Sequence, residues 1–247
     1  MVSKAKIKFI KSLQVKKYRK QEQSFVVEGA KSVSELLSSD FDVIWLAGSK
    51  NFLYLNEKRF QGRNIEVVDA SEKELEQLGS FQTNDAAVAV AKIKPNELPN
   101  IKDEFCLVLD DLSDPGNVGT IIRTADWYGI KQIIASEETA DLYNPKTISA
   151  TMGSFCRVNV FYTDLGDFFS RNSLPVYGTF MNGEDVHQID FGKSGLIVIG
   201  NESNGISEKV SRLVNHRITI PKIGGAESLN AAIATGIVLD NVFRSKK

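Results

Sequence analysis

The sequence predicts an α/β protein in two units, the second built on a parallel sheet. Three observations carry that expectation. Short, continuous apolar runs recur at FCLVLD (105–110), KQIIAS (131–136), RVNVFY (157–162), LPVYGTF (174–180), GLIVIG (195–200) and HRITIP (216–221), with helical or loop stretches between them. Strands buried on both faces by helices read in this way. The stretch KPNELPNIKDE (94–104) holds Pro95 and Pro99 and has no apolar period, so it reads as a connection rather than an element. Charge also divides there: residues 1–94 carry +4 and residues 95–247 carry −5, within a net charge of −1. The expected organisation is therefore a domain over 1–94, a linker over 95–103 and a second domain over 104–247.

The elements of the first unit follow in order. Residues 4–20 are predicted to form one helix, with Ile7, Ile10, Leu13 and Val15 apolar among basic residues. SFVVE (24–28) is a short strand, residues 29–38 a helix burying Val33, Leu36 and Leu37, and DVIWLAG (42–48) a buried strand. Residues 51–58 are helical and NIEVVDA (64–70) is a strand. Ser71 with Glu74 three residues on is a capping-box pattern that opens the next helix. DAAVAVAKIK (85–94) closes the unit as a strand. In the second unit a helix is expected from the DPGNVG turn to about Tyr128, with Trp127 and Tyr128 in the core. A last helix is expected over about Ser228 to Phe243, where Leu229, Ile233, Ile237 and Val238 keep a helical period.

Composition narrows the function classes. With 42% hydrophobic and 25% charged residues in 247, the chain is neither collagen-like nor low-complexity nor largely disordered. No run approaches the ~18 apolar residues of a membrane helix. The basic start MVSKAKIKFIKSLQ has no apolar h-region, so a secretory signal is not expected and the cytoplasm is. Two cysteines, Cys106 and Cys156, make no disulfide framework, and two histidines, His187 and His216, make a zinc or di-metal site improbable. The first twenty residues hold Lys4, Lys6, Lys8, Lys11, Lys16, Lys17, Arg19 and Lys20 and no acid. Such a block is either a solvated helix face or a contact for a polyanion.

Ligands of open α/β sheets lie beyond the carboxyl ends of the strands, and three strand ends here carry unusual loops. In DDLSDPGNVGTIIRTADWYG (110–129), Pro115, Gly116 and Gly119 enforce a tight turn, Asn117 falls where a short amide suits a helix cap, and Arg123 sits within an apolar turn. Arg123 reads either as a snorkelling or salt-bridged arginine or as a fixed fork for phosphate or carboxylate. In GLIVIGNESNGIS (195–207), two glycines frame Asn201, Glu202, Ser203 and Asn204. They either let a ligand approach the backbone or simply cap a helix near Ile206. In HRITIPKIGGAESLNAAIATGI (216–237), a strand ends in Pro221, a Gly224–Gly225 loop follows, and Ser228 opens a helix whose free amides suit an anion. Two other matches fail. Gly192-Lys193-Ser194 lacks the upstream glycine of a P-loop, and no G-x-G-x-x-G follows a strand, which disfavours a Rossmann dinucleotide site.

These three loops, in this order, resemble the SpoU (TrmH-type) RNA ribose methyltransferases of the SPOUT superfamily. The first motif matches at Asn117, Gly119 and Arg123, the second at Gly200-Asn201-Glu202 and Gly205, and the third at Ser228-Leu229-Asn230. The chain departs from the family pattern at Ser203 and at Ala231-Ala232-Ile233, where the residues stay small or apolar. Phe25-Val26-Val27-Glu28-Gly29 after a basic helix looks like the ribosomal-protein-like substrate-binding domain that precedes this enzyme.

The resemblance implies a trefoil-knotted C-terminal domain, S-adenosylmethionine as co-substrate with no metal, and a homodimer with the active site at the subunit interface. It implies cofactor contacts at Thr179, Gly200, Ile220 and Leu229. It implies catalytic roles for Arg123, Asn117, Glu202, Ser228 and Asn230, with Arg123 clamping ribose and phosphate. The substrate would be structured RNA, ribosomal rather than transfer RNA, contacted through Lys16, Lys17, Arg19 and Lys20. The alternative is a non-catalytic RNA-binding or ribosome-assembly factor on the same scaffold.

Overall fold

The computed structural model describes residues 2–79 and 86–244. The chain runs α1 (Lys4–Ser12), α2 (Lys16–Glu22), β1 (Ser24–Glu28), α3 (Ala30–Leu37), β2 (Val43–Gly48), α4 (Lys50–Phe60), β3 (Glu66–Asp69), α5 (Glu72–Leu78) and β4 (Ala87–Lys92). It continues through β5 (Phe105–Asp110), α6 (Pro115–Trp127), β6 (Gln132–Ala135), α7 (Pro145–Thr151), β7 (Asn159–Tyr162), α8 (Leu165–Ser170), β8 (Val176–Asp185), β9 (Gly195–Gly200), α9 (Glu208–Ser211), β10 (His216–Thr219) and α10 (Ala231–Arg244). Two compact units result: Met1–Pro95 together with Asp141–Cys156, and Asn96–Ala140 together with Arg157–Lys247.

The first unit holds a four-stranded sheet in the order β1-β4-β2-β3, with β4 antiparallel to β1 and β2, and β3 parallel to β2. Strands β1, β2 and β4 form where the apolar runs predict them. The expected strand 85–94 shortens to Ala87–Lys92, and Asp85 lies outside the described residues. Ser71 and Glu74 make the reciprocal capping box of α5, and hydrogen bonds from Ser71 and the Val2 amide hold the Glu74 carboxyl down to about 2.

The single helix expected over 4–20 is two. The break falls at Leu13–Val15, where Val15 turns extended and both Ile10 and Leu13 are fully buried. A break frees backbone carbonyls that need donors. Arg19 supplies them: its Nη1 donates to Leu13 O at 2.9 Å and to Gln14 O at 2.8 Å. Its Nη2 and Nε donate to Asp141 Oδ2 at 2.7 and 3.2 Å. Arg19 is only 2% exposed, so its expected role as an RNA contact is corrected: its donors are spent inside the fold.

The same pair explains why the linear division of the chain omits a segment. Residues 141–156 leave the second unit and pack in the first. Asp141 meets Arg19, while Tyr143 and Phe155 join Phe25 and Phe41 in an aromatic cluster with centroids 4.6–6.1 Å apart. The segment DLYNPKTISATMGSFC has too few apolar residues to announce this.

The second unit is a six-stranded sheet, β10-β8-β9-β5-β6-β7, with every neighbouring pair parallel. The parallel sheet is as predicted. The two most apolar strands, β5 and β9, occupy its centre. One face packs Cys106, Val108, Leu196 and Val198 against Leu165, Phe168 and Phe169 of α8 and Val210 of α9. Helices α6 and α10 pack on each other, and α10 also meets β9. Helix α10 begins at Ala231 rather than Ser228, because the Asn230 side chain accepts from the Ala232 and Ile233 amides and stops the helix there. Tyr128 stacks on Phe243, but Trp127, expected in the core, is 84% exposed on α6. Among the described residues no helix is long and apolar enough to cross a membrane.

Substituting Arg19→Met removes the donors to Asp141 Oδ2 and to the Leu13 and Gln14 carbonyls. We expect a loss of about 3 kcal/mol in unfolding free energy, the scale for breaking a buried pair, measured from urea midpoints. An unchanged midpoint would remove the pair from the stability of this unit.

Candidate active site

The site begins with strand register. In the parallel pair of β5 and β9, Asp110 lies opposite Gly200. Both strands therefore end at the same level, and the loops that follow emerge side by side. Asp114, not Asn117, caps α6: its Oδ1 accepts from the Asn117 amide at 2.7 Å. The Asn117 side chain is thus released from capping. Its Nδ2 donates to Glu202 Oε1 at 2.8 Å, across the two loops. Asn230 completes the chain, its Nδ2 donating to Asn117 Oδ1 at 2.9 Å while its own oxygen caps α10. One relay, Asn230 to Asn117 to Glu202, ties all three glycine-marked loops together. An amide in the middle is required, because Asn117 must accept from one neighbour and donate to the other.

The loop holding Glu202 is closed on itself. Asn201 and Gly205 exchange backbone hydrogen bonds at 2.9 Å each, and Asn201 Oδ1 accepts from the Ser203 and Asn204 amides. A Cβ on Gly200 would stand 2.3 Å from Gly205 C and Ile206 N. The glycine is thus needed first for the loop's own closure. Sequence reading missed the residues beneath it. Asp111, in the left-handed region at φ 57, turns its carbonyl to Asn201 Nδ2 at 2.7 Å. Asp110 Oδ2 accepts from the Ser207 amide at 2.7 Å. Burial pushes the Asp110 carboxyl above its ordinary value, with the Ser207 bonds opposing. The adjacent acids at a strand end were the only signal, and acids there are common.

A cleft of about 1800 Å³ opens beside this loop. Thr179, Gly200, Ile220 and Leu229 line it, as do Glu202 and Ser228. Thr179 Oγ1 donates to Val198 O at 3.0 Å, which anchors that wall to β9. Ile199, Ile206 and Val238 give the cleft an apolar side, and the exposed residues 221–224 and 226–229 line it as well. An apolar wall beside the polar side chains of Thr179, Glu202 and Ser228 suits a ligand that is part apolar and part polar. Among the described residues no group of three or more His, Cys, Asp or Glu side chains is arranged to hold a metal ion.

The structure does not bring every candidate together. Arg123 is exposed on α6, does not line the cleft and has no ion-pair partner among the described residues. Six residues separate it from Asn117, which puts the two on different sides of the helix. Glu202 therefore bonds Asn117 rather than Arg123. Lys16, Lys17 and Lys20 are exposed on α2 in the first unit.

Comparison with known proteins bears directly on these loops. Residues 104–240 match the model of the SpoU rRNA Methylase family, and residues 4–89 match the MRM3-like substrate binding domain. The chain belongs to the SpoU rRNA methylase family. It is 30% identical to the 23S rRNA (guanosine(2553)-2′-O)-methyltransferase RlmP of Bacillus subtilis over 241 residues, 95% of this chain and 94% of that protein. The SpoU methyltransferase AviRb from Streptomyces viridochromogenes, solved in complex with AdoMet, is similar at a TM-score of 0.87 and 25% identity, with 99% of this chain and 98% of that one covered. An AdoMet-bound rRNA methyltransferase from Sinorhizobium meliloti is similar at a TM-score of 0.87 and 29% identity, with 99% and 97% covered.

The relay predicts a directional rescue. Asn117→Asp keeps the acceptor for Asn230 but sets a carboxylate against Glu202, at an expected cost of about 1–2 kcal/mol in urea unfolding. Adding Glu202→Gln restores a donor, in the reverse direction, and should return most of that loss. A double variant no more stable than Asn117→Asp alone would show that this pair does not join the SpoU loops.

Proposed function

We propose that the chain is an S-adenosylmethionine-dependent RNA 2′-O-methyltransferase, methylating a ribose hydroxyl of structured ribosomal RNA in the cytoplasm as a homodimer. The observation that carries this reading is the Asn230–Asn117–Glu202 relay at the mouth of a cleft lined by Thr179, Gly200, Ile220 and Leu229. The AdoMet in the Streptomyces and Sinorhizobium relatives and the 23S rRNA named for the Bacillus relative support the cofactor and the substrate class. The match of residues 4–89 supports a substrate-binding role for the first domain. We read the C-terminal domain as the trefoil-knotted form its family implies. The return of α10 from edge strand β10 to pack on α6 and β9 is consistent with that threading.

Bound in the cleft, S-adenosylmethionine supplies an electrophilic methyl group on a sulfonium. Backbone groups at Gly200, Ile220 and Leu229, with Thr179, would hold it there. The apolar wall excludes water, which otherwise favours the separated charges over the transition state. The relay keeps the three loops in register, so that the side chains around the cleft mouth would hold a ribose hydroxyl in one orientation. Ser228, exposed at the rim, shapes the pocket for ribose.

Arg123 does its work from outside the cleft of its own subunit. It shares an exposed side of α6 with Thr120 and with Trp127, one turn on, and Ile233 of α10 is 57% exposed. Apolar residues left open in this way fit a two-fold contact. Across it, Arg123 of the partner subunit clamps ribose and phosphate. Arginine keeps its proton to above pH ~12, so it acts as a clamp that acidifies the hydroxyl, and the proton leaves through a phosphate oxygen or water.

Tritiated methyl transfer to bulk ribosomal RNA tests the reading; absence of transfer by the dimeric chain would favour a non-catalytic RNA-binding factor. Arg123→Lys should bind cofactor normally in calorimetry yet lose at least about a hundredfold in transfer, since a point charge cannot reproduce the two-pronged clamp. Near-normal turnover would remove Arg123 from the mechanism. Replacing Lys16, Lys17 and Lys20 with Gln should flatten the dependence of log K for RNA on log salt by about two to three units. An unaltered slope would leave α2 as plain solvated surface.

A further inference from the structure

The cleft carries a cation that the methyl-transfer chemistry above does not use. β8 pairs with β10 as far as Gly178, opposite Arg217, and pairing resumes only at Glu184, opposite Ile218. Residues 179–183 therefore bulge out of register at the cleft edge. Two contacts hold the bulge onto β10. Thr219 Oγ1 donates to Met181 O at 3.1 Å, and Gly183 lies so close that a Cβ there would stand 2.5 Å from Arg217 O.

The bulge places Phe180 under the Arg217 guanidinium, 3.8 Å from the ring centroid. Both residues line the cleft. Arg217 is exposed, and among the described residues no carboxylate pairs with it. An aromatic face fixes the plane of a guanidinium and leaves its edge N–H donors available. Such a planar fork matches the paired oxygens of a carboxylate or a phosphate. The neighbouring loops supply the apolar wall, Lys222 also lines the cleft, and the fork supplies a positive charge whose plane the Phe180 ring fixes.

We propose that Arg217, laid flat on Phe180, is the oxyanion-binding residue of this cleft, taking either the carboxylate of the cofactor's amino-acid portion or a phosphodiester of the RNA. The proposal rests on the methyltransferase reading, and its test separates the two. Full-length wild type, Arg217→Met, Arg217→Lys and Phe180→Leu are titrated calorimetrically with S-adenosylmethionine and with 5′-methylthioadenosine, which keeps the adenosine but has no carboxylate. The same proteins are then titrated with bulk ribosomal RNA across a salt series, with thermal melts to verify folding.

If the anion is the cofactor carboxylate, Arg217→Met weakens S-adenosylmethionine binding about tenfold and leaves methylthioadenosine binding unchanged. If it is RNA phosphate, cofactor binding is unchanged, RNA affinity falls, and the salt slope drops by about one. In either case Arg217→Lys recovers part of the loss, and Phe180→Leu, which keeps the charge but removes the platform, shows an intermediate loss. Equal losses for both nucleosides, or none for either nucleoside or RNA, would overturn the proposal while the methyltransferase reading stands. A wild-type chain that binds neither cofactor nor RNA would overturn both.

Discussion

Everything at the site follows from one parallel register, Asp110 of β5 beside Gly200 of β9. Neighbouring parallel strands that end level send their loops out from the same edge, and side chains a few residues further on can then meet. Asn117 and Glu202 are 85 positions apart in sequence and 2.8 Å apart in space for that reason. A shift of one residue in the pair would move each side chain to the opposite face of the sheet and carry Glu202 away from its partner. The buried Asp110 and the left-handed Asp111 then hold the second loop to the first through Ser207 and Asn201. A carboxylate buried at that point is costly unless hydrogen-bonded, so the loop and the strand end stabilise each other.

Helix capping decides which side chains remain for chemistry. Asp114 takes the cap of α6, and this frees the Asn117 amide for two long-range bonds. Asn230 serves twice: its oxygen caps α10 and its nitrogen reaches Asn117. The start of the last helix and the alignment of the three glycine-marked loops are therefore a single event. In the first unit Arg19 plays a comparable part. It joins the carbonyls freed by the α1–α2 break to Asp141, a residue 122 positions later.

Adjacent basic residues in the same segment thus have opposite fates. Lys20 stays exposed, while Arg19 is enclosed, because the kink at Leu13–Val15 rotates α2 against α1. A helix-period reading cannot see that kink: the residues at the break, Leu13, Gln14 and Val15, contain neither proline nor glycine. Trp127 reverses the same way, exposed where its apolarity argued for burial. Local pattern reports how apolar a residue is, not whether the surface that covers it comes from its own chain.

Strand positions, the parallel sheet, the three glycine-marked loops and their family were determined by the sequence alone. Buried strands need unbroken apolar runs, and tight turns need particular residues at particular steps, so both leave a mark in one dimension. Only the tertiary structure decided that Asn117 bridges rather than caps, that residues 141–156 join the first unit, and that Arg217 lies on Phe180 over the cleft. Each of these depends on which groups distant in the chain arrive within hydrogen-bonding or stacking reach, and strand order and register set that distance.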